Sequence, residues 1–102
     1  MSRPVHWSIE AQNDLAEQVS YIARDNPAAA HRVADVIDRT ALALGEIPTG
    51  RPGRVTGTYE KSVTRLPYIL AYAITQTGGK EAVAIARVIH TSRDWPAGEL
   101  RE

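Results

Sequence analysis

The chain has 102 residues, with twelve basic and twelve acidic side chains, no net charge and no cysteine. That length fits a single domain spanning 1–102, which would bury about 60 to 70% of its unfolded surface. The lack of cysteine excludes disulfides and thiolate metal sites, and no apolar stretch approaches the roughly 20 residues that span a bilayer. Met1 to Trp7 lacks the charged and apolar regions of a secretory signal, so a cytoplasmic protein with no membrane partner is expected.

The charge is unevenly distributed. Residues 1–50 carry four basic and seven acidic groups, whereas residues 51–93 carry seven basic groups against Glu60 and Glu81. A cationic second half on a neutral chain fits a face that meets something anionic, either nucleic acid or an acidic protein. It fits equally a fold whose acidic helices lie back over the basic half.

Val5 to Trp7 has the pattern of a short strand, after which Ser8 can cap a helix with Glu10 in its first turn. Ala11, Leu15, Val19 and Ile22 recur at helical spacing and define one buried face. Arg24-Asp25 ends that helix, and Asn26-Pro27 supplies the N-cap and first residue of the next. Ala30, Val33, Ile37, Ala41 and Leu44 form its apolar stripe, with Gly45 placed to stop it. So short a connection predicts an antiparallel helical hairpin. Pro48 to Gly57 holds three glycines and two prolines and is expected to be a loop carrying Arg51 and Arg54. Tyr59–Val63, Tyr68–Thr75 and Glu81–His90 follow as strands, separated by turns at Leu66-Pro67 and Gly78-Gly79. The expectation is an α+β protein of order β-α-α-β-β-β, with the hairpin packed on one face of a small antiparallel sheet and the other face partly open.

The densest group of chemically capable side chains is Arg87-Val88-Ile89-His90-Thr91-Ser92-Arg93-Asp94-Trp95-Pro96, where an apolar strand runs out into a basic, acidic and aromatic segment. It reads either as a tail fastened to the core or as a recognition loop. Strict alternation puts Val83, Ile85, Arg87 and Ile89 on one side of the last strand, and Ala84, Ala86, Val88 and His90 on the other. Arg87 among apolar neighbours needs a carboxylate, with Glu60 or Asp94 the candidates, because an unpaired buried charge costs several kcal/mol. His90 titrates near neutrality, at about pH 6.5 when unperturbed, and serves as a general acid-base or simply as a hydrogen-bonding strand end. RNA cleavage needs a base, an acid and a cation, roles that Glu60, Lys61, Arg65, Arg87 and His90 nominally fill. His6, His31 and His90 show no metal-ligand spacing, and Gly50-Arg51-Pro52-Gly53-Arg54 lacks the end of a phosphate loop, so no metal or cofactor is expected. That loop is either a constrained turn or a docking point built on two arginines. Ala28-Ala29-Ala30 and Ala34 permit close approach of a partner helix, and helical propensity explains them as well.

With these segments in order, the chain resembles the RelE and ParE superfamily of bacterial type II toxins. The segments are Asp14-Leu15, Tyr21-Ile22-Ala23, Asn26 to Ala30, Gly50 to Val55, Leu66 to Tyr72, Arg87 to His90 and Arg93 to Pro96. The resemblance implies a helical hairpin against a small antiparallel sheet. It also implies a cognate antitoxin that orders on the toxin and alone contacts operator DNA. RelE-like members cleave messenger RNA on the ribosome, whereas ParE-like members bind DNA gyrase and trap its cleaved DNA. Ile69 stands where the ribosome-dependent nucleases place a catalytic arginine, and a neutral chain gains little counterion-release affinity for ribosomal RNA. Both points favour the ParE-like branch, acting by binding, with Arg51, Arg54, Arg87, Arg93 and Trp95 as target contacts. The alternative is a ribosome-dependent ribonuclease using Arg65, Arg87 and His90. His90 matches a catalytic position of some such nucleases, and Tyr59 stands where ParE-like chains are expected to carry arginine. A toxin fold that only binds its antitoxin is the third reading.

Overall fold

The computed structural model describes residues 2–92. Its elements are β1 (Val5–Trp7), α1 (Ile9–Ala23), α2 (Pro27–Glu46), β2 (Arg51–Pro52), β3 (Tyr59–Ser62), β4 (Tyr68–Thr77) and β5 (Lys80–His90). The strands form one sheet in the order β1-β5-β4-β3-β2. This is the α+β architecture expected, with two differences. The sheet is mixed, because β1 pairs parallel to β5 from Val5↔Val83 to Trp7↔Ile85. The loop after α2 also contributes a two-residue strand, Arg51↔Glu60 and Pro52↔Tyr59.

Both helix starts follow the local chemistry. The Ser8 side chain accepts from the Ala11 amide at 3.0 Å, and Asn26 accepts from the Ala29 amide at 3.0 Å. Each satisfies a helix-end donor that has no partner within the helix. Ser8 also reaches β5: its amide donates to the Ile85 carbonyl at 2.9 Å and its hydroxyl to the Ala86 carbonyl at 2.8 Å. The apolar faces of both helices, through Ala11, Ile37, Ala41 and Leu44, meet Leu70, Tyr72, Val83, Ile85 and Val88 in the main core.

Val88 in that core contradicts strict alternation along β5. The β4–β5 register passes from Ala71↔Arg87 to Tyr72↔Ile85, so Ala86 is left over as a β-bulge. The extra residue reverses the facing beyond it. Val88 joins Val83 and Ile85 on the helix side, and Arg87 and Ile89 move to the opposite face. A bulge leaves no mark on hydrophobic periodicity beyond a three-residue step between buried positions.

Gly45 does not stop α2, which continues to Glu46. The Arg3 amide donates to the Gly45 carbonyl at 2.8 Å, so the chain entering β1 crosses directly over this turn. A Cβ at Gly45 would lie 2.5 Å from the Arg3 carbonyl oxygen and 3.0 Å from Val5 Cγ2. Alanine would recover about 1 kcal/mol of helix propensity, but a backbone oxygen cannot rotate aside. Gly45→Ala is therefore expected to destabilise the fold by about 1–3 kcal/mol, read as a lowered urea midpoint at unchanged m-value.

Candidate functional site

Cross-strand registers place a row of four residues on the sheet face away from the helices: Arg51, Glu60, Ala71 and Arg87 are successive partners on β2, β3, β4 and β5. The adjacent row is Ser62, Ile69 and Ile89. Ile69, Ala71 and Ile89 form an apolar cluster separate from the main core. On this face a buried apolar cluster thus lies between arginines on both flanks.

Glu60 organises one flank and is only 4% exposed. Arg54 gives it a backbone N–H at 3.1 Å, Nε at 2.8 Å and Nη2 at 3.2 Å, and Arg51 adds Nη2 at 3.4 Å. The intervening loop is tight because the Gly53 amide donates to the Thr58 carbonyl at 2.8 Å, and a Cβ on Gly53 would meet Thr58 Oγ1 at 2.5 Å. Burial pushes the Glu60 carboxyl up, but the Arg54 hydrogen bonds and the charges of Arg54 and Arg51 outweigh it and hold the carboxyl below its ordinary value. The Gly50–Arg54 segment therefore uses its arginines first to neutralise a buried acid, and the outer parts of both side chains still face solvent.

Arg87 organises the other flank. Its Nε and Nη2 bind the two oxygens of Asp14 at 2.8 and 3.1 Å, and Asp14 Oδ2 also accepts from the Val88 amide at 3.0 Å. A carboxylate for Arg87 comes from Asp14 on α1 and not from Glu60, which is engaged by Arg51 and Arg54. Asp94 lies outside the described residues. Sequence reading missed this partner although Asp14 sits three residues beyond Ala11, at the edge of the buried stripe.

The residues nominated for RNA cleavage are divided by the sheet. The His90 ring packs edge-on against Tyr68, centroids 5.2 Å apart, on the helix side. The Ser92 amide donates to its Nδ1 at 3.2 Å. The Tyr68 hydroxyl in turn donates to Gln18 Oε1 at 3.3 Å. Arg65 is exposed in the β3–β4 turn with φ 65°, and the Thr91 amide donates to the Pro67 carbonyl, so this turn adjoins the His90 end of β5. Arg87 alternates onto the opposite face, and its guanidinium meets Asp14 of α1 at the β5 edge. Lys61 follows Glu60 onto the helix side. Arg93 and Trp95 lie outside the described residues. Among the described residues, no three His, Asp or Glu side chains converge to hold a metal ion, and no helix is long and apolar enough to cross a membrane.

A two-helix layer on one face of a five-stranded mixed sheet is a fold found in small bacterial toxins. The sequence profile described as "ParE toxin of type II toxin-antitoxin system, parDE" matches residues 5–95, and the chain belongs to that family. It is 39% identical over 98 residues to the candidate toxin Y4kP of Sinorhizobium fredii, covering 94% of this chain and 97% of that one. Its fold is similar to a solved chain of the chromosomal ParDE toxin-antitoxin system of P. aeruginosa, with TM-score 0.79 and 18% identity over 89% of this chain and 98% of that one. A YoeB/ParE toxin from Agrobacterium tumefaciens is similar at TM-score 0.57 and 13% identity, over 85% and 96% of the two chains.

Glu60 makes stability dependent on acid. A carboxyl held below its ordinary value of 4.5 stabilises the folded state above that value, and the contribution is lost as the pH falls through the lowered folded value. Glu60→Gln should flatten this acid limb in thermal melts between about pH 5 and 2. Arg54→Ala leaves a buried carboxylate short of its main donors and should cost about 2 kcal/mol near neutrality. Arg51→Ala, which removes one long contact from a half-exposed side chain, should cost under about 1 kcal/mol.

Proposed function

We propose that this ParE-family toxin acts by binding rather than by chemistry: it engages DNA gyrase through the arginines that flank the sheet face away from the helices, stabilises the cleaved DNA complex and is neutralised by a cognate antitoxin. The observation that carries this reading is the bidentate Arg87–Asp14 pair, which commits the Arg87 guanidinium to a carboxylate of α1. A phosphate-stabilising cation must turn its donors to the reacting phosphate, and this guanidinium already gives two of them to Asp14. The exposed arginine flank suits a protein or protein–DNA target instead. Arginine is favoured in interface hot spots, and carboxylates that hold guanidinium groups in place reduce the ordering cost of binding. Arg51, Arg54 and Arg87 are the described contacts, and Arg93 and Trp95 the assigned contacts beyond them. The antitoxin is expected to order its C-terminal part on the toxin and to supply the DNA contacts of the repressing complex.

One observation keeps the nuclease reading in play: the Thr91–Pro67 hydrogen bond sets the Arg65 turn beside the strand end that carries His90. Incubation with gyrase, plasmid DNA and ATP separates the two. Binding predicts lost supercoiling and accumulated cleaved DNA, both reversed by antitoxin. Unchanged supercoiling with ribosome-dependent messenger cleavage, abolished by His90→Ala, would establish the nuclease that uses Arg65, Arg87 and His90. Within the gyrase reading, Arg51→Ala and Arg93→Ala should each weaken inhibition by about tenfold at unchanged circular dichroism. Full inhibition by the double variant would remove the open face from consideration.

A further inference from the structure

The arginines of the two flanks differ in how much of the guanidinium is already used. Arg87 gives two donors to Asp14, whereas Arg51 makes one contact to Glu60 at 3.4 Å, has no other side-chain partner among the described residues, and leaves its side chain 56% exposed. Its backbone, by contrast, is fixed. The Tyr72 hydroxyl donates to the Thr49 carbonyl at 2.5 Å, and Arg51 itself pairs with Glu60. Between them Gly50 takes a φ of 127°, with the place of its missing Cβ 2.6 Å from the Glu60 carbonyl oxygen. A largely unused guanidinium on a fixed stem is held ready for an anion from outside.

Arg54 stands beside it. Its Nη2 reaches the same carboxylate oxygen as Arg51, Glu60 Oε1, at 3.2 Å, and its side chain is 39% exposed. One carboxylate thus faces two guanidinium groups, and because it is buried, the side that solvent meets is cationic. A further negative charge completes the neutralisation.

The loop between β2 and β3 decides which anion fits. Protein interfaces rely on aromatic and aliphatic anchors at their centre. Here Ile69, Ala71 and Ile89 are buried, Tyr59 turns to the helix side and stacks on Tyr72, and the loop exposes a single large apolar side chain, Val55. The rest of its tip is Thr56 and Gly57, both exposed, and the backbone N–H groups of Val55, Thr56 and Gly57 have no acceptor among the described residues. Nothing lies within 4 Å of where a Cβ on Gly57 would stand. Guanidinium groups, exposed backbone N–H groups and a threonine hydroxyl on an unobstructed loop are the donors that phosphodiester oxygens take.

We propose that Arg51, with Arg54 beside it, binds a backbone phosphate of the DNA that gyrase holds, so that the toxin touches enzyme and nucleic acid together. The proposal rests on the gyrase reading above and names the chemistry of one of its contacts. A chain without net charge gains too little from so few phosphates to hold DNA by itself, so gyrase must present the duplex.

The test titrates the toxin onto gyrase, onto a duplex carrying a gyrase cleavage site, and onto the two together, over a series of KCl concentrations. With gyrase and duplex together, Arg51→Ala should raise Kd about tenfold and lower the slope of log Kd against log salt by about 0.9, while Arg51→Lys keeps most of that slope. Affinity for gyrase without DNA should be the same for Arg51→Ala and the parent, with the fold of each variant checked by circular dichroism. Neutral methylphosphonates, placed one linkage at a time, should reveal a phosphate whose loss weakens the parent by the same factor and leaves Arg51→Ala unaffected. Equal weakening of Arg51→Ala with and without DNA, and indifference of the parent to every methylphosphonate, overturns the phosphate contact in favour of an acidic protein face and leaves the gyrase reading intact. Unchanged affinity of Arg51→Ala in every mixture also overturns the contact alone. No binding to gyrase, with or without DNA, overturns both the contact and the reading on which it rests.

Discussion

The edge of β5 is the constraint on which the rest of the structure depends. β1 covers that edge only from Val83 to Ile85, and the next residue is the bulged Ala86. An uncovered strand edge at the centre of so small a fold would leave backbone donors and acceptors unsatisfied. Helix α1 completes it: Ser8 takes up the Ile85 and Ala86 carbonyls, and Asp14 takes up the Val88 amide. The same Asp14 carboxylate holds Arg87. The start of α1 thus closes the sheet edge beside the bulge and holds the Arg87 guanidinium there.

Local chemistry made much of this fold legible. Ser8 and Asn26-Pro27 announce their helix starts through side chains that satisfy backbone amides within three residues, and the strands announce themselves through apolar runs bounded by glycine or proline. What could not be read depends on pairing across long sequence separations. Parallel alignment of Val5 with Val83, the two-residue β2 and the bulge at Ala86 are decided by tertiary packing, and periodicity carries none of them. Gly45 misled for a related reason, since its lack of a side chain answers to the Arg3 backbone rather than to the end of the helix.

The candidate site was legible as a set of residues but not as an arrangement. The need of Arg87 for a carboxylate follows from its apolar neighbours, yet its partner stands 73 positions away. The basic excess after residue 50 was open to two explanations, and the structure divides it between them. Asp14 from the acidic half does cover Arg87, and Glu81 holds Arg3, whereas Asp35 is spent within α2 on Arg39. Arg51 and Arg54 share a single buried acid from their own half, so that flank keeps a net positive charge.

Consecutive residues of β3 therefore serve opposite sides of the molecule. Glu60 anchors the arginine flank of the open face, and Lys61 faces the groove beside α2. Neutralisation by a second conformation would require the antitoxin to bind two states of the toxin with different affinity. The arginine pairs offer little slack for a second state: Arg54 and Arg87 are already held by Glu60 and Asp14, and moving either would strand a carboxylate in a partly dry environment.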